Sequence, residues 1–263
     1  MRNGESVVHN ETYVRLQIVN AGKKLAERFF VASNDGNISA KLDDNTILIT
    51  PTGINKGEVV PDQIVKVDPD GNVLEGHMKV TSEIKMHLAA YRIRPDIKAI
   101  VHAHPPAATA FAITGEKIDE PLVMPEALFS LGKVGYCKYG TPSTNEVPQS
   151  IETVIPNCDS LILSNHGAMT VGADVMQAYY RMESLELVSR VVIAAKVLGK
   201  AKPLNEEQIR KLDVVKQEHG WGSTRNQALN VHPLASSESQ GTGGIDINKL
   251  AKIISNVINE QNM

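Results

Sequence analysis

Hydrophobic positions recur at helical spacing from the start of the chain. Leu16, Val19, Leu25, Ala26, Phe29 and Phe30, with charged residues between them, predict a helix over residues 12–32 that Thr12 would cap. The polar, glycine-bearing run 32–39 breaks this pattern and reads as a loop. Short strand segments follow. Residues 46–50 and 63–67 predict two short strands, and Asp68-Pro-Asp-Gly71 predicts a turn that returns Val73 and Leu74 as a hairpin arm. A helix follows over 83–92, with Ile84, His87, Leu88 and Tyr91 on one face and Ser82 as a candidate cap.

The second half repeats these themes. Residues 99–103 form a short apolar strand, residues 107–113 a helix, and 122–124 a strand-like segment. A short helix at 126–131, a strand at 133–136 and a helix over 144–156 come next. Residues 160–164 and 168–171 predict a hairpin across Asn165-His166-Gly167, a tight turn by composition. The longest periodic stretch, 174–198, places Ala178, Met182, Leu185, Val188 and Val192 on one stripe and ends at Gly199. Asn205 caps a further helix to residue 218. Beyond it, 236–244 has the composition of a flexible linker, and 246–259 reads as an amphipathic terminal helix. Hairpins among separated helices predict an α/β fold: a single-domain three-layer sandwich around a mostly antiparallel sheet. A pure dinucleotide-binding fold is disfavoured, because its glycine fingerprint is absent. The expected division is a domain over 10–220 and a C-terminal extension over 221–263.

Composition narrows the partners. A net charge of -3 with no basic block, and aromatics at only 4%, argue against nucleic acid. No apolar run approaches membrane-spanning length, and no signal peptide is read at the N-terminus, so a cytoplasmic protein without a membrane partner is expected. The two cysteines, Cys137 and Cys158, fit no metal-binding pattern and suit a reducing compartment.

Candidate chemistry centres on His102 and His104. At i, i+2 on a strand both rings share a face, with Ala103 pointing away. Each ring alone is more often a satisfied core or surface histidine. As a pair followed by Pro105-Pro106 they make half of a metal site. His166, in a turn straight after an apolar strand, and Glu83, at a helix start, are candidate partners, although a lone Glu there is also an ordinary helix-end residue. Three imidazoles and a carboxylate suit Zn²⁺ and would also hold Mn²⁺, Fe²⁺ or Co²⁺. His9, His77, His87, His219 and His232 are weaker candidates. Three small-residue turns, Asp35–Ser39, Thr50–Gly53 and Thr81–Glu83, are collectively a candidate anion cradle.

These residues resemble the class II aldolase/adducin family. The resemblance covers roughly residues 12–215. It rests on Gly36-Asn-Ile-Ser39, Leu48-Ile-Thr-Pro-Thr-Gly53, Thr81-Ser-Glu83 with His87, Val101-His-Ala-His104 and Asn165-His-Gly167. It implies that His102, His104 and His166 bind zinc, and that Glu83 is both a fourth ligand and the acid/base. Asn37, Thr52, Gly53, Thr81 and Ser82 would bind the substrate phosphate. It further implies a homo-oligomer, a C4 tetramer with active sites between subunits, acting on a phosphorylated sugar.

Within the family, Glu83 and the absence of a basic residue after the His-x-His pair favour an aldolase over a ribulose-phosphate 4-epimerase, which carries Asp at the position of Glu83. The expected reaction cleaves a (deoxy)ketose 1-phosphate, such as L-fuculose 1-phosphate or 5-deoxyribulose 1-phosphate, to dihydroxyacetone phosphate and a small aldehyde. Methylthioribulose-phosphate dehydratase and sugar-acid phosphate decarboxylase are the alternative chemistries, and a non-catalytic adducin-like module is the alternative class. One departure matters. The family's fuculose-phosphate aldolase has a proton-donating tyrosine near position 125, where this chain has Pro125-Glu126. Glu126 is therefore the candidate second proton-transfer group.

Overall fold

The computed structural model describes residues 11–120, 122–199 and 201–219. The expected linker at 236–244 and helix at 246–259 lie outside them. In chain order the elements are α1 (Glu11–Glu27), β1 (Asn37–Lys41), β2 (Ile47–Ile49), β3 (Val65–Val67), β4 (Val73–Glu75), α2 (Ile84–Ile93), β5 (Ala99–Ala103) and α3 (Pro106–Thr114). They continue with β6 (Val134–Cys137), α4 (Glu146–Glu152), β7 (Ser160–Leu163), β8 (Gly167–Gly172), α5 (Val175–Leu198) and α6 (Glu206–Glu218). The strands form one eight-stranded sheet in the order β4-β3-β2-β1-β5-β8-β7-β6, antiparallel except for β6 with β7. Successive strand residues point to opposite faces, and each face is covered. On one side α1, α3 and α5 supply Ile18, Leu25, Phe111, Tyr179, Met182 and Leu185. On the other α2 and α4 supply Met86, Tyr91, Val147 and Ile151. This is the expected three-layer sandwich.

Several local expectations are corrected. The first helix stops at Glu27, and its buried stripe is Val14, Ile18, Ala21 and Leu25; Leu16 is 51% and Phe29 79% exposed. Phe29 adopts φ 59°, Phe29 N–H donates to Ala26 O and Phe30 N–H to Leu25 O. That is a Schellman ending built on a non-glycine residue, and it turns Phe30 inward. Segment 122–124 joins no ladder: Leu122 O accepts from Leu204 N–H instead. The helix expected over 144–156 breaks after Glu152, and a separate 3-10 turn forms at Ile155–Asn157, as Pro156 demands. Residues 61–63 form a 3-10 turn before the short β3. The run expected as a helix over 126–131 winds as a π-turn at Ala127–Leu131. α2 takes Glu83, not Ser82, at its N-cap, and Glu11 is already helical ahead of Thr12. Asp174 and Asn205 cap α5 and α6 through side-chain acceptance from Gln177 N–H and Gln208 N–H.

Cys137 and Cys158 are both free and buried. Burial pushes the Cys137 thiol up to about 12 and the Cys158 thiol up to about 11. Since only the thiolate is nucleophilic, both should stay protonated and inert at pH 8. A thiol-reactive disulfide dye is expected to titrate neither in the native protein and both after denaturation. Prompt reaction before unfolding would show that one of them is open to solvent.

Candidate active site

Backbone pairing brings the site together. β1 and β5 run antiparallel with Asn37 opposite His102, and β5 pairs with β8 so that His102 sits opposite Met169. His102 is fully buried on β5. His104 lies just past the strand end, where its N–H donates to Phe30 O, so the inward turn after α1 anchors this ring's backbone. His166 sits in the β7–β8 turn, beside Asn165 with φ 54°. Gly167 follows because nothing larger fits: a Cβ there would lie 2.5 Å from His104 Cδ2 and 2.7 Å from Ala103 O.

The three rings converge. Their centroids are 4.8–5.1 Å apart, and one nitrogen of each lies within 4.8 Å of the others. Glu83 completes the group: Oε2 is 3.1 Å from His102 Nε2, and Oε1 is 3.4 Å from His166 Nε2. The outer nitrogens of two rings are held from behind. His102 Nδ1 lies 2.9 Å from Ala168 O, and His104 Nδ1 lies 3.5 Å from Asp35 Oδ2. Metal-binding histidines are oriented this way, with the far nitrogen tied to a carbonyl or carboxylate. Glu83 Oε1 and His166 Nδ1 are buried without a hydrogen-bond partner. An N3O donor set with an unsatisfied carboxylate oxygen beside it fits a divalent cation.

Charge follows from this packing. Burial by itself raises the Glu83 carboxyl, but His102, then His166 and the Asn37 amide, more than reverse it and hold the group well below the usual carboxylate range. Burial likewise opposes protonation of His102, yet Glu83 and the Ala168 carbonyl raise it. Burial, with His102 adding, pushes His166 down to about 4 and lowers His104.

The expected phosphate residues are partly gathered. Pro51 bridges Val80 and Thr52 N–H donates to Lys79 O at 3.0 Å, so the 50–53 turn lies against the 79–82 segment. Gly53 has φ 79° and open space where a Cβ would be. Thr81 is buried, its Oγ1 accepting from Glu83 N–H at 3.4 Å, and Ser82 is exposed. Asn37 is buried, with both ends of its amide engaged by Glu83 and His87. Glu126 is exposed at the head of the π-turn and makes no side-chain cap bond there. Asp35 behind His104 reads in the sequence as part of a loop and candidate anion cradle, and His87 as an apolar-face residue within the family motif, neither of which reveals its partner here. Neither His77 nor His219 joins the cluster, while His9 and His232 lie outside the described residues.

Residues 16–193 match the model of the class II aldolase and adducin N-terminal domain. The chain belongs to this family. It is 38% identical over 167 residues to an L-fuculose phosphate aldolase of Methanococcus maripaludis, covering 64% of this chain and 89% of that one. A 5-deoxy-D-ribulose 1-phosphate aldolase of Bacillus thuringiensis is 30% identical over 209 residues, covering 79% and 96%. A 3-oxo-tetronate 4-phosphate decarboxylase of Haemophilus influenzae is 29% identical over 201 residues, covering 74% and 94%. Among solved structures, YgbL of Klebsiella pneumoniae superposes with a TM-score of 0.72 at 27% identity, over 77% of this chain and 99% of that one. The protein is therefore a class II aldolase-type chain with a histidine cluster able to hold a divalent metal. No helix among the described residues is long and apolar enough to cross a membrane.

Proposed function

We propose that this chain is a zinc-dependent aldehyde-lyase that splits a deoxyketose 1-phosphate into dihydroxyacetone phosphate and a small aldehyde. The observation that carries the reading is the Glu83 carboxylate held ionised against three convergent imidazoles. A pure binding module has no use for such a group. A bound divalent cation supplies Lewis acidity, which makes carbanionic charge beside the substrate carbonyl tolerable.

The protein's own residues do the rest. Thr52, Gly53, Thr81 and Ser82, with the remaining donor capacity of Asn37, hold the 1-phosphate and fix where the chain of the sugar lies. In the condensation direction ionised Glu83 removes a proton from the hydroxymethyl carbon of dihydroxyacetone phosphate; in cleavage Glu83 first takes up a proton from solvent and delivers it to C3, and the proton that Glu126 receives returns to solvent, so both carboxylates end as they began. The C3–C4 electron pair stays on C3, and the C4 hydroxyl proton passes to Glu126 as the aldehyde forms. The relatives described as aldolases of L-fuculose phosphate and of 5-deoxy-D-ribulose 1-phosphate support this substrate class. We further assign the catalytic domain to 10–220 and the assembly to a cytoplasmic C4 homotetramer with active sites between subunits. Tyr180 and Leu187 on α5, each more than half exposed, give self-association an apolar surface to cover.

The test is a product assay. Zinc-loaded protein is offered L-fuculose 1-phosphate, 5-deoxyribulose 1-phosphate, ribulose 5-phosphate, methylthioribulose 1-phosphate and 3-oxo-tetronate 4-phosphate. Dihydroxyacetone phosphate is expected from one or both of the first two. Carbon dioxide release from the last alone, or consumption of ribulose 5-phosphate without cleavage, would replace the aldolase reading with the corresponding alternative.

A further inference from the structure

Beneath the cluster runs a second line of polar groups. Glu83, His87 and Tyr91 are spaced four apart along α2 and its N-cap, so they share one face. Asn37 and Ser39 are spaced two apart on β1 and share the face opposite. The two rows interleave. Asn37 Nδ2 donates to Glu83 Oε2 at 2.9 Å, and His87 Nε2 lies 2.5 Å from Asn37 Oδ1. Ser39 Oγ lies 2.7 Å from His87 Nδ1 and 2.8 Å from the Tyr91 hydroxyl. His87, Ser39 and Asn37 are buried to 2% exposure or less, and Tyr91 to 6%.

Donor and acceptor chemistry fixes the direction of every link. An ionised carboxylate only accepts, so the Asn37 amide nitrogen must face Glu83 and its carbonyl must face His87. That carbonyl only accepts, so His87 carries its proton on Nε2. Ser39 then donates to Nδ1, and its oxygen accepts from Tyr91. With a second proton on His87 Nδ1, Ser39 would have to accept there, and either the Ser39 or the Tyr91 proton would lack an acceptor within the line. A buried unsatisfied donor costs about 1–3 kcal/mol, so the forward direction is selected.

We infer that His87, seated on Ser39 and Tyr91, is a positioning residue: it locks the Asn37 amide with its nitrogen toward Glu83 and so aims the carboxylate at the histidine cluster. The line is one-way and ends on Glu83. It is a brace, and no proton needs to travel along it. Its role in turnover rests on the aldolase reading; its role in aiming Glu83 does not.

The experiment therefore has two arms. Nitrogen-15 NMR of the metal-free protein at pH 7.5 should show His87 neutral with the proton on Nε2. Cobalt titrations should show His87→Leu and Ser39→Ala binding the ion about 10- to 100-fold more weakly, as loss of a supporting partner does. His87→Gln, whose amide can donate to Asn37 and accept from Ser39, should restore most of that loss. On an active enzyme the same variants should lower kcat by a similar factor with KM little changed. Tyr91→Phe, isosteric and apolar, guards against misfolding and should show a smaller loss in the same direction. A proton on Nδ1 of His87, or parental cobalt affinity in folded His87→Leu and Ser39→Ala, overturns the inference. If no sugar phosphate is cleaved while the tautomer and cobalt results hold, the reaction assignment fails and the brace stands.

Discussion

Replacing Glu83 by Gln is expected to leave the protein folded and to lower turnover by about 10²- to 10⁴-fold, the range a positioned acid/base contributes. Gln keeps the shape of the side chain and its carbonyl can still accept from Asn37 Nδ2, so packing at the start of α2 is preserved. It cannot take a proton from carbon. The loss should fall on kcat, because the residues expected to hold the phosphate are untouched. Far-ultraviolet circular dichroism together with steady-state kinetics on the substrate found by the product assay checks both halves. Comparable turnover in this variant would move the acid/base role elsewhere. Glu126 is the next residue to test, and unchanged turnover in Glu126→Gln would return that exposed side chain to structure.

The second large effect concerns the cluster itself. Stripping the metal with a chelator should abolish activity, and zinc should restore it in the parent but not in His102→Ala. His102 is the buried centre of the group, within reach of Glu83, His104 and the Ala168 carbonyl at once, so its loss removes a donor and the ring that the others pack against. Because the ion binds the folded site, free zinc at about 100 times its Kd should stabilise the parent by about 2.7 kcal/mol. For a chain of this size that raises Tm by about 5–10 °C. His102→Ala should show little of that rise. An equal rise in both proteins would mean that the stabilising ion sits somewhere other than the histidine cluster.

Much of this was readable before any coordinates. The His102–His104 spacing, the Asn165-His166-Gly167 turn and the Thr81–Glu83 helix start are local features, and local chemistry dictates them. The hairpins β3–β4 and β7–β8 follow for the same reason: turn residues announce them. What escaped depends on partners distant along the chain. Phe29 looks like a continuation of an apolar stripe, yet it is the left-handed residue of a helix ending, and the true stripe runs through Val14, Ile18 and Leu25. Leu122 to Met124 has the composition of a strand but joins no ladder among the described residues; its backbone contact is Leu204 N–H donating to Leu122 O. His87 reads as one more residue on the inner face of α2; only the pairing of β1 with β5 shows that Asn37 and Ser39 lie across from it. Periodicity says which side of a helix is buried, and nothing about what waits there.

That same pairing orders events in time. β5 is joined on one flank to β1 and on the other to β8, both far away along the chain, while the hairpins close over short loops. Long loop closures come at the greatest entropic cost and slow the folding of such sheets. His102 rides on that central strand, Glu83 precedes the helix leading into it, and His166 sits in the turn of a hairpin closed over a short loop. The four donors therefore meet only when the slowest contacts are made. A cation that needs all four donors would bind only the finished molecule. It would act as a latch on that molecule, slowing escape from the native state without hastening the approach to it.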